Sequence, residues 1–302
     1  MRSKIKSIFS RYIILKMKIK LLGALLLLVW LVNSCNMINP TEGVPTYIQI
    51  DSVQVNPTDL AKHGSVNHKI TDVWVYYQRQ LLGAFELPAK IPVLATGKGQ
   101  LQVVAGIWDN GLSGTRAKYP FYTVDTFTFN ANPTNTIKHI PKFNYRTTED
   151  VITYFIENFE QGNTFVRRFG DSSFARTKDP TEVFEDEWSG KIDLHDTINY
   201  VEIITSKEFF LPINREAYLE LNYKSDIDFT VKTEIYQLGN YYNFDIIGLK
   251  AKKEWTKVYL NLTGFSATYQ GGKSKYVIQA LLPTNKSSAK VLIDNFKIIY
   301  FN

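Results

Sequence analysis

After residue 35 the chain never sustains the 3.6-residue apolar period of a long amphipathic helix. Short strand-like runs recur instead: TYIQIDSVQV, DVWVYYQ, QLQVVAGI, YVEII, AYLELNY, DFTVKTEIYQL, TKVYLNL, KYVIQALL and KVLIDNFKIIYF. Most alternate apolar with polar residues, are rich in β-branched and aromatic side chains, and are separated by Gly, Pro, Asn and Asp. This spacing predicts an all-β fold built as two β-sandwich domains. Residues 148–158, TEDVITYFIEN, are the best short helix candidate and read equally well as a strand. The single cysteine leaves no intrachain disulfide, thiol-ligated zinc cluster or CxxC pair. Stability must therefore come from the core, and 18 Tyr and 19 Phe are available to fill it.

The Pro- and Asn-containing segment NANPTNTIKHIPKF, followed by KFNYRTTEDVI, marks a boundary near residues 142–152. The expected organisation is a first sandwich over residues 46–145 and a second over 150–302, both of ordinary domain size. Residues 35–45, with two prolines and a glycine, read as a short tether.

The segment before the tether is a leader. Residues 21–32, LLGALLLLVWLV, are a continuous apolar run too short to span a bilayer, which needs about 20 residues. Behind a basic stretch, that length suits the apolar region of a signal peptide. Residues 1–34 are the expected signal peptide, and the compact MKIKLLGALLLL sets Met17 as the expected translation start. The leader holds seven basic residues and no acid, so the formal charge of +6 belongs to it. Without it, 28 basic and 29 acidic residues leave a net charge of −1, which gives no electrostatic case for nucleic acid.

Val32-Asn33-Ser34-Cys35 resembles the lipobox of bacterial lipoproteins. The resemblance implies cleavage before Cys35 and lipidation there, with diacylglycerol on the thiol and a third acyl chain, such as palmitate, on the amine. Several chains give stable anchoring where one does not. Asn36 stands where an inner-membrane retention aspartate would be, which implies the outer membrane of a Bacteroidota-type envelope. The acidic run that often directs such proteins to the surface is absent, so the periplasmic and surface leaflets both stay open.

Residues 72–106, with Gly83, Gly97 and Gly99 at positions suited to tight turns, resemble PEGA-like or Ig-like β modules, which act as spacers or protein-contact units. Trp74 and Trp108 either pack in the core or line a groove. In the second domain, Asn158-Phe159-Glu160 with Gly162, the run EWTKVYLNL (254–262) and the run VLIDNFKI (291–298) resemble the galactose-binding-like, carbohydrate-binding-module jelly rolls. That resemblance implies a jelly roll with aromatic sugar platforms. The candidate platform is Tyr241, Tyr242, Asn243 and Phe244, with Trp188 as an outlying member; alternatively Tyr242 and Phe244 enter the core. It also implies a structural calcium on Glu160 and Asp294. Asp294 shares the alternation of Leu292, Phe296 and Ile298, which puts a carboxylate among apolar side chains, costly unless it is hydrogen-bonded or metal-bound. The acids Glu182, Glu185, Asp186 and Glu187 read as a solvated loop.

No GxSxG, HExxH or phosphate loop occurs, and His63, His68, His139 and His195 lack metal-ligand spacing. The expectation is a non-catalytic, lipid-anchored envelope protein without a catalytic residue or cofactor beyond that calcium. Its jelly roll binds glycan or peptidoglycan; the alternative is an accessory subunit contacting an outer-membrane β-barrel protein.

Overall fold

The computed structural model describes residues 16–23, 43–56, 59, 63–146, 151–170 and 174–302, with backbone only for 151–154. Residues 16–23 are helical, and no helix among the described residues is long and apolar enough to cross a membrane. Cys35, most of the apolar leader and most of the tether lie outside the described residues. From Thr46 to Asn302 the chain forms one compact unit made of strands and one short helix, Thr263–Thr268.

The first module carries β1 (Thr46–Ile50), β2 (Gln54–Val55), β3 (Asp72–Tyr77), β4 (Gln80–Glu86), β5 (Ala89–Val93), β6 (Gly97–Trp108), β7 (Arg116–Lys118), β8 (Asp125–Ala131), β9 (Thr136–Lys138) and β10 (Lys142–Phe143). The larger sheet runs β4-β3-β6-β7, with β8 also on β6; β5-β1-β9 and β10-β2 form smaller sheets. The inward residues of all three merge into one core. Ile48 and Ile91 meet Val73, Leu101, Val103 and Phe143, all fully buried. Gly97 has φ +67°, as a turn requires. Gly99 serves close packing instead, since a Cβ there would sit 2.8 Å from the Phe129 ring.

The second module carries β11 (Val151–Glu157), β12 (Phe165–Gly170), β13 (Phe174–Thr177), β14 (Ser189–His195), β15 (Tyr200–Thr205), β16 (Ala217–Ser225), β17 (Phe229–Gln237), β18 (Asn240–Leu249), β19 (Lys252–Asn261), β20 (Lys273–Leu281) and β21 (Ser288–Phe301). The chain passes back and forth between two antiparallel sheets. One contains β13-β14-β21-β16-β19, with β11 also on β21; the other runs β12-β15-β20-β17-β18. This alternation between facing sheets is the jelly roll. The helix-or-strand ambiguity at 148–158 resolves as β11, paired antiparallel to β21.

β21 explains how the modules meet. From Val291 to Tyr300 every residue is buried, on both faces of the strand. One face enters the jelly-roll core through Val291, Ile293, Phe296, Ile298 and Tyr300. The other lies under the first module, where Ile299 joins Tyr218, Tyr259, Tyr119, Phe121 and Tyr122 in a shared cluster. Between them the register against β16 shifts, and Asn295 takes φ +47°. Such a bulge adds one residue and reverses the alternation beyond it. Asp294 therefore does not share a face with Phe296 and Ile298; it points away from the jelly-roll core.

The covered face of the six-stranded sheet carries charge. Glu220 on β16 is fully buried. Its Oε2 lies 2.6 Å from Lys257 Nζ and 3.0 Å from Lys297 Nζ. Tyr119 and Tyr145 of the first module donate their hydroxyls to the same carboxylate. Each lysine then donates across the junction, Lys257 to the Asn67 carbonyl and Lys297 to the His63 carbonyl, both at 2.9 Å. Asp109 adds a second polar tie through the Tyr218 hydroxyl at 3.0 Å.

Candidate functional site

The outward face of the five-stranded sheet gathers the most polar side chains that converge without entering a core. The two-residue turn Leu238-Gly239 closes the β17–β18 hairpin, both residues at positive φ. It sets Tyr236 opposite Tyr241, with ring centroids 4.9 Å apart. Alternation then puts Lys232 and Glu234 of β17 on the same face as Asn243 and Asp245 of β18. On β12 the register shifts between Arg167 and Phe169, which aims Arg168 across the sheet.

Arg168 is the hub. Its guanidinium donates to Glu202 on β15 at 3.0 Å, to Glu234 on β17 at 2.6 Å and to Asn243 on β18 at 2.7 Å. β12 and β18 are the two edges of this sheet. Neighbouring strands lie about 4.8 Å apart, so a flat sheet would separate these edges by roughly 19 Å. One arginine and one asparagine cannot bridge that span, so the sheet is curled and its outward face is concave. Tyr200 donates to Glu202 at 2.6 Å, and Gln279 donates to the Tyr200 hydroxyl at 2.8 Å. The result is a trough with a fixed polar floor. Aromatic rings stand at its rims: Tyr241 is 67% exposed and Phe169 57% exposed.

Of the sequence-selected residues, the structure brings Tyr241 and Asn243 onto this face. Tyr242 and Phe244 turn to the other face of β18, where both rings pack on Tyr269 at 5.1 Å. Trp188 lies apart, half-buried, with the Arg176 guanidinium 4.4 Å over its ring. Arg168, Glu202, Glu234, Tyr236 and Gln279 were not selected from the sequence. The even positions of β17, Thr230-Lys232-Glu234-Tyr236, carried a signal, being a polar phase opposite an apolar one. Trp74 and Trp108 are both half-buried, and Trp108 lines a cavity between the modules. The acidic run is only partly solvated: Glu182 is buried against Lys191 and Lys290, and Glu185 accepts from Ser65 and Asn295.

Glu160 and Asp294 are each engaged in hydrogen bonds within the fold. Glu160 Oε1 accepts the backbone N–H groups of Glu187 and Trp188 at 3.1 and 2.8 Å. The Phe159 and Glu160 carbonyls accept Arg176 at 2.7 and 3.1 Å. Asp294 accepts the Ser189 hydroxyl at 2.5 Å and the Asn295 N–H at 2.7 Å. Among the described residues no group of three or more His, Cys, Asp or Glu is placed to hold a metal ion. Burial, with the charges of Glu185 and Glu160, pushes the Asp294 carboxyl up to about 8, against the hydrogen bonds from Ser189 and Asn295.

No family model matches the chain, and no curated protein matches it. Among solved structures it is similar to TmCBM61 in complex with beta-1,4-galactotriose, with 15% identity over 47% of this chain and 92% of that one and a TM-score of 0.33. It is also similar to a xylan-binding domain from CBM 22, with 13% identity over 48% and 93% and a TM-score of 0.34. A third likeness is to a carbohydrate-binding module of the β-sandwich superfamily, with 11% identity over 86% and 99% and a TM-score of 0.35.

The raised Asp294 carboxyl has a consequence for stability. The folded chain binds this proton more tightly than the unfolded chain, whose carboxyl titrates near 3.8. The contribution is complete at acid pH and is lost as pH rises from about 4 through about 8. Asp294→Asn, which mimics the protonated form, is expected to flatten this decline when urea midpoints are measured across that range. An unchanged slope would refute the assignment.

Proposed function

We propose that this chain is a non-catalytic, lipid-anchored envelope protein whose jelly roll binds a glycan in the trough of its five-stranded sheet. The observation that supports this most is the Arg168 hub: Glu202, Glu234 and Asn243 are held in fixed positions on a concave face rimmed by Tyr236, Tyr241 and Phe169. Sugars need both elements. Flat rings cover their C–H faces, and pre-oriented amides, carboxylates and guanidinium groups take their hydroxyls. Neighbouring strands supply the partners, so little ordering is needed on binding. The floor is occupied by internal hydrogen bonds, which suits recognition; no paired carboxylate there is free to act as acid and nucleophile.

The anchor in this reading is Cys35, and the expected location is the outer membrane, with the β modules carried off the bilayer on residues 36–45. The alternative of an accessory subunit touching a β-barrel protein would use the same exposed Tyr241 and Phe169 as protein contacts.

A polysaccharide array probed with residues 36–302 tests the glycan reading. Binding is expected, with Tyr241→Ala weakening it about tenfold, or about 1.4 kcal/mol. No binding to any glycan, together with co-purification of a β-barrel protein, would favour the accessory reading. Cys35→Ser is expected to move the full chain from the membrane fraction to the soluble fraction; retention in the membrane would remove the anchor.

A further inference from the structure

A second cavity lies where the first module meets the far end of β18. It measures about 310 Å³, and Lys69, Trp108, Tyr223, Lys250, Lys252 and Lys257 are among the residues that line it, beside an apolar remainder. Its volume falls at the lower end of the range for small-ligand pockets, enough for about one sugar ring. Tyr241 and Leu249 are eight residues apart along β18, so the cavity and the aromatic rim of the trough are separated by roughly 26 Å. The two sites share no residue.

The lining is electrostatically one-sided. Four lysines border the cavity, and no carboxylate does. Two of the four are compensated from outside it: Lys257 by Glu220 at 2.6 Å, and Lys250 by Asp228 at 2.6 Å. Lys69 and Lys252 are exposed and make no ion pair with a described residue. The wall thus offers two uncompensated ammonium groups and an aromatic surface from Trp108 and Tyr223.

A neutral sugar would leave both ammonium groups to water, whereas an acidic sugar uses them. We propose that this cavity binds a hexuronate unit of an acidic glycan, its carboxylate paired with Lys69 and Lys252 and its ring against the Trp108 and Tyr223 side chains. The glycan-binding reading supplies only the ligand class; the location rests on the cavity itself.

Titration calorimetry of residues 36–302 with trigalacturonate, galactotriose and inorganic sulfate tests this. Trigalacturonate is expected to bind at least tenfold more tightly than either other probe, and to weaken as salt rises, since exposed charges are screened within about 10 Å at 0.1 M. Lys69→Gln/Lys252→Gln should lower its affinity at least tenfold, and Trp108→Ala, which removes the ring from the wall, about threefold. The charge-matched Lys90→Gln/Lys98→Gln variant, on the first module and outside the cavity, should bind as the parent does. Equal binding of acidic and neutral trisaccharides, equal binding of sulfate, no binding of trigalacturonate, or indifference to the Lys69/Lys252 change in a folded variant would each overturn the proposal. Retained trigalacturonate binding with no neutral glycan on the array would sink the trough reading alone, and the reverse would sink only this one.

Discussion

Glu220 holds a negative charge where water does not reach it, and the arrangement of both modules follows from how that charge is satisfied. Burial pushes its carboxyl up, but the charges of Lys257 and Lys297 and hydrogen bonds from Lys257 and Tyr119 outweigh this and hold it at about 2. Each partner is buried as well, and each is committed. Lys257 and Lys297 also donate to first-module carbonyls, and the Tyr145 hydroxyl, which donates to Glu220, accepts Lys297 at 2.6 Å. Desolvating three charges costs several kcal/mol per ion, so the cluster is not an inexpensive source of stability. Its effect is specificity: the two sheets can meet in only one register without leaving a buried charge unpaired. Tyr119, Tyr122, Tyr218 and Tyr259 pack around it, their rings meeting at 4.8–5.5 Å.

That junction determines which surfaces remain for binding. The six-stranded sheet of the jelly roll spends its outward face on the first module. The five-stranded sheet keeps its outward face, and its curl makes that face a trough. At the seam between modules, the same cover leaves a cavity whose lysines outnumber the acids available to neutralise them. The concave outward face and the seam cavity are thus two results of one packing arrangement.

The alternation of the sequence was enough to place β3, β6, β15, β16, β17, β19, β20 and β21, because half-buried strands must alternate, and it did not mark β4, β8, β14 or β18. It failed where structure interrupts the period. The bulge at Asn295 put Asp294 on the opposite face from the one its spacing with Phe296 suggested. β18 was not among the strand-like runs because Asn240-Tyr241-Tyr242-Asn243-Phe244 mixes ring and amide, and the platform reading grouped Tyr242 and Phe244 with Tyr241 although alternate residues face opposite sides. Tyr241 and Asn243 were picked out by their chemistry, and both lie on the outward face of the five-stranded sheet. Arg168 was not, since its role depends on a bulge and on sheet curl, neither of which is local. The Glu220 cluster was equally hidden: charged residues on strands read as solvent-facing until a second module is known to cover them.

Calorimetric unfolding of Glu220→Ala measures the central claim most directly. Removing the carboxylate strands two buried ammonium groups, and loss of one partner of such a cluster costs about 3–5 kcal/mol. The predicted result is a single transition, lowered as a whole, because one packed unit runs from Thr46 to Asn302. A loss below about 0.5 kcal/mol, or a parent protein whose two modules melt in separate transitions with only one of them shifted by the substitution, would contradict the account.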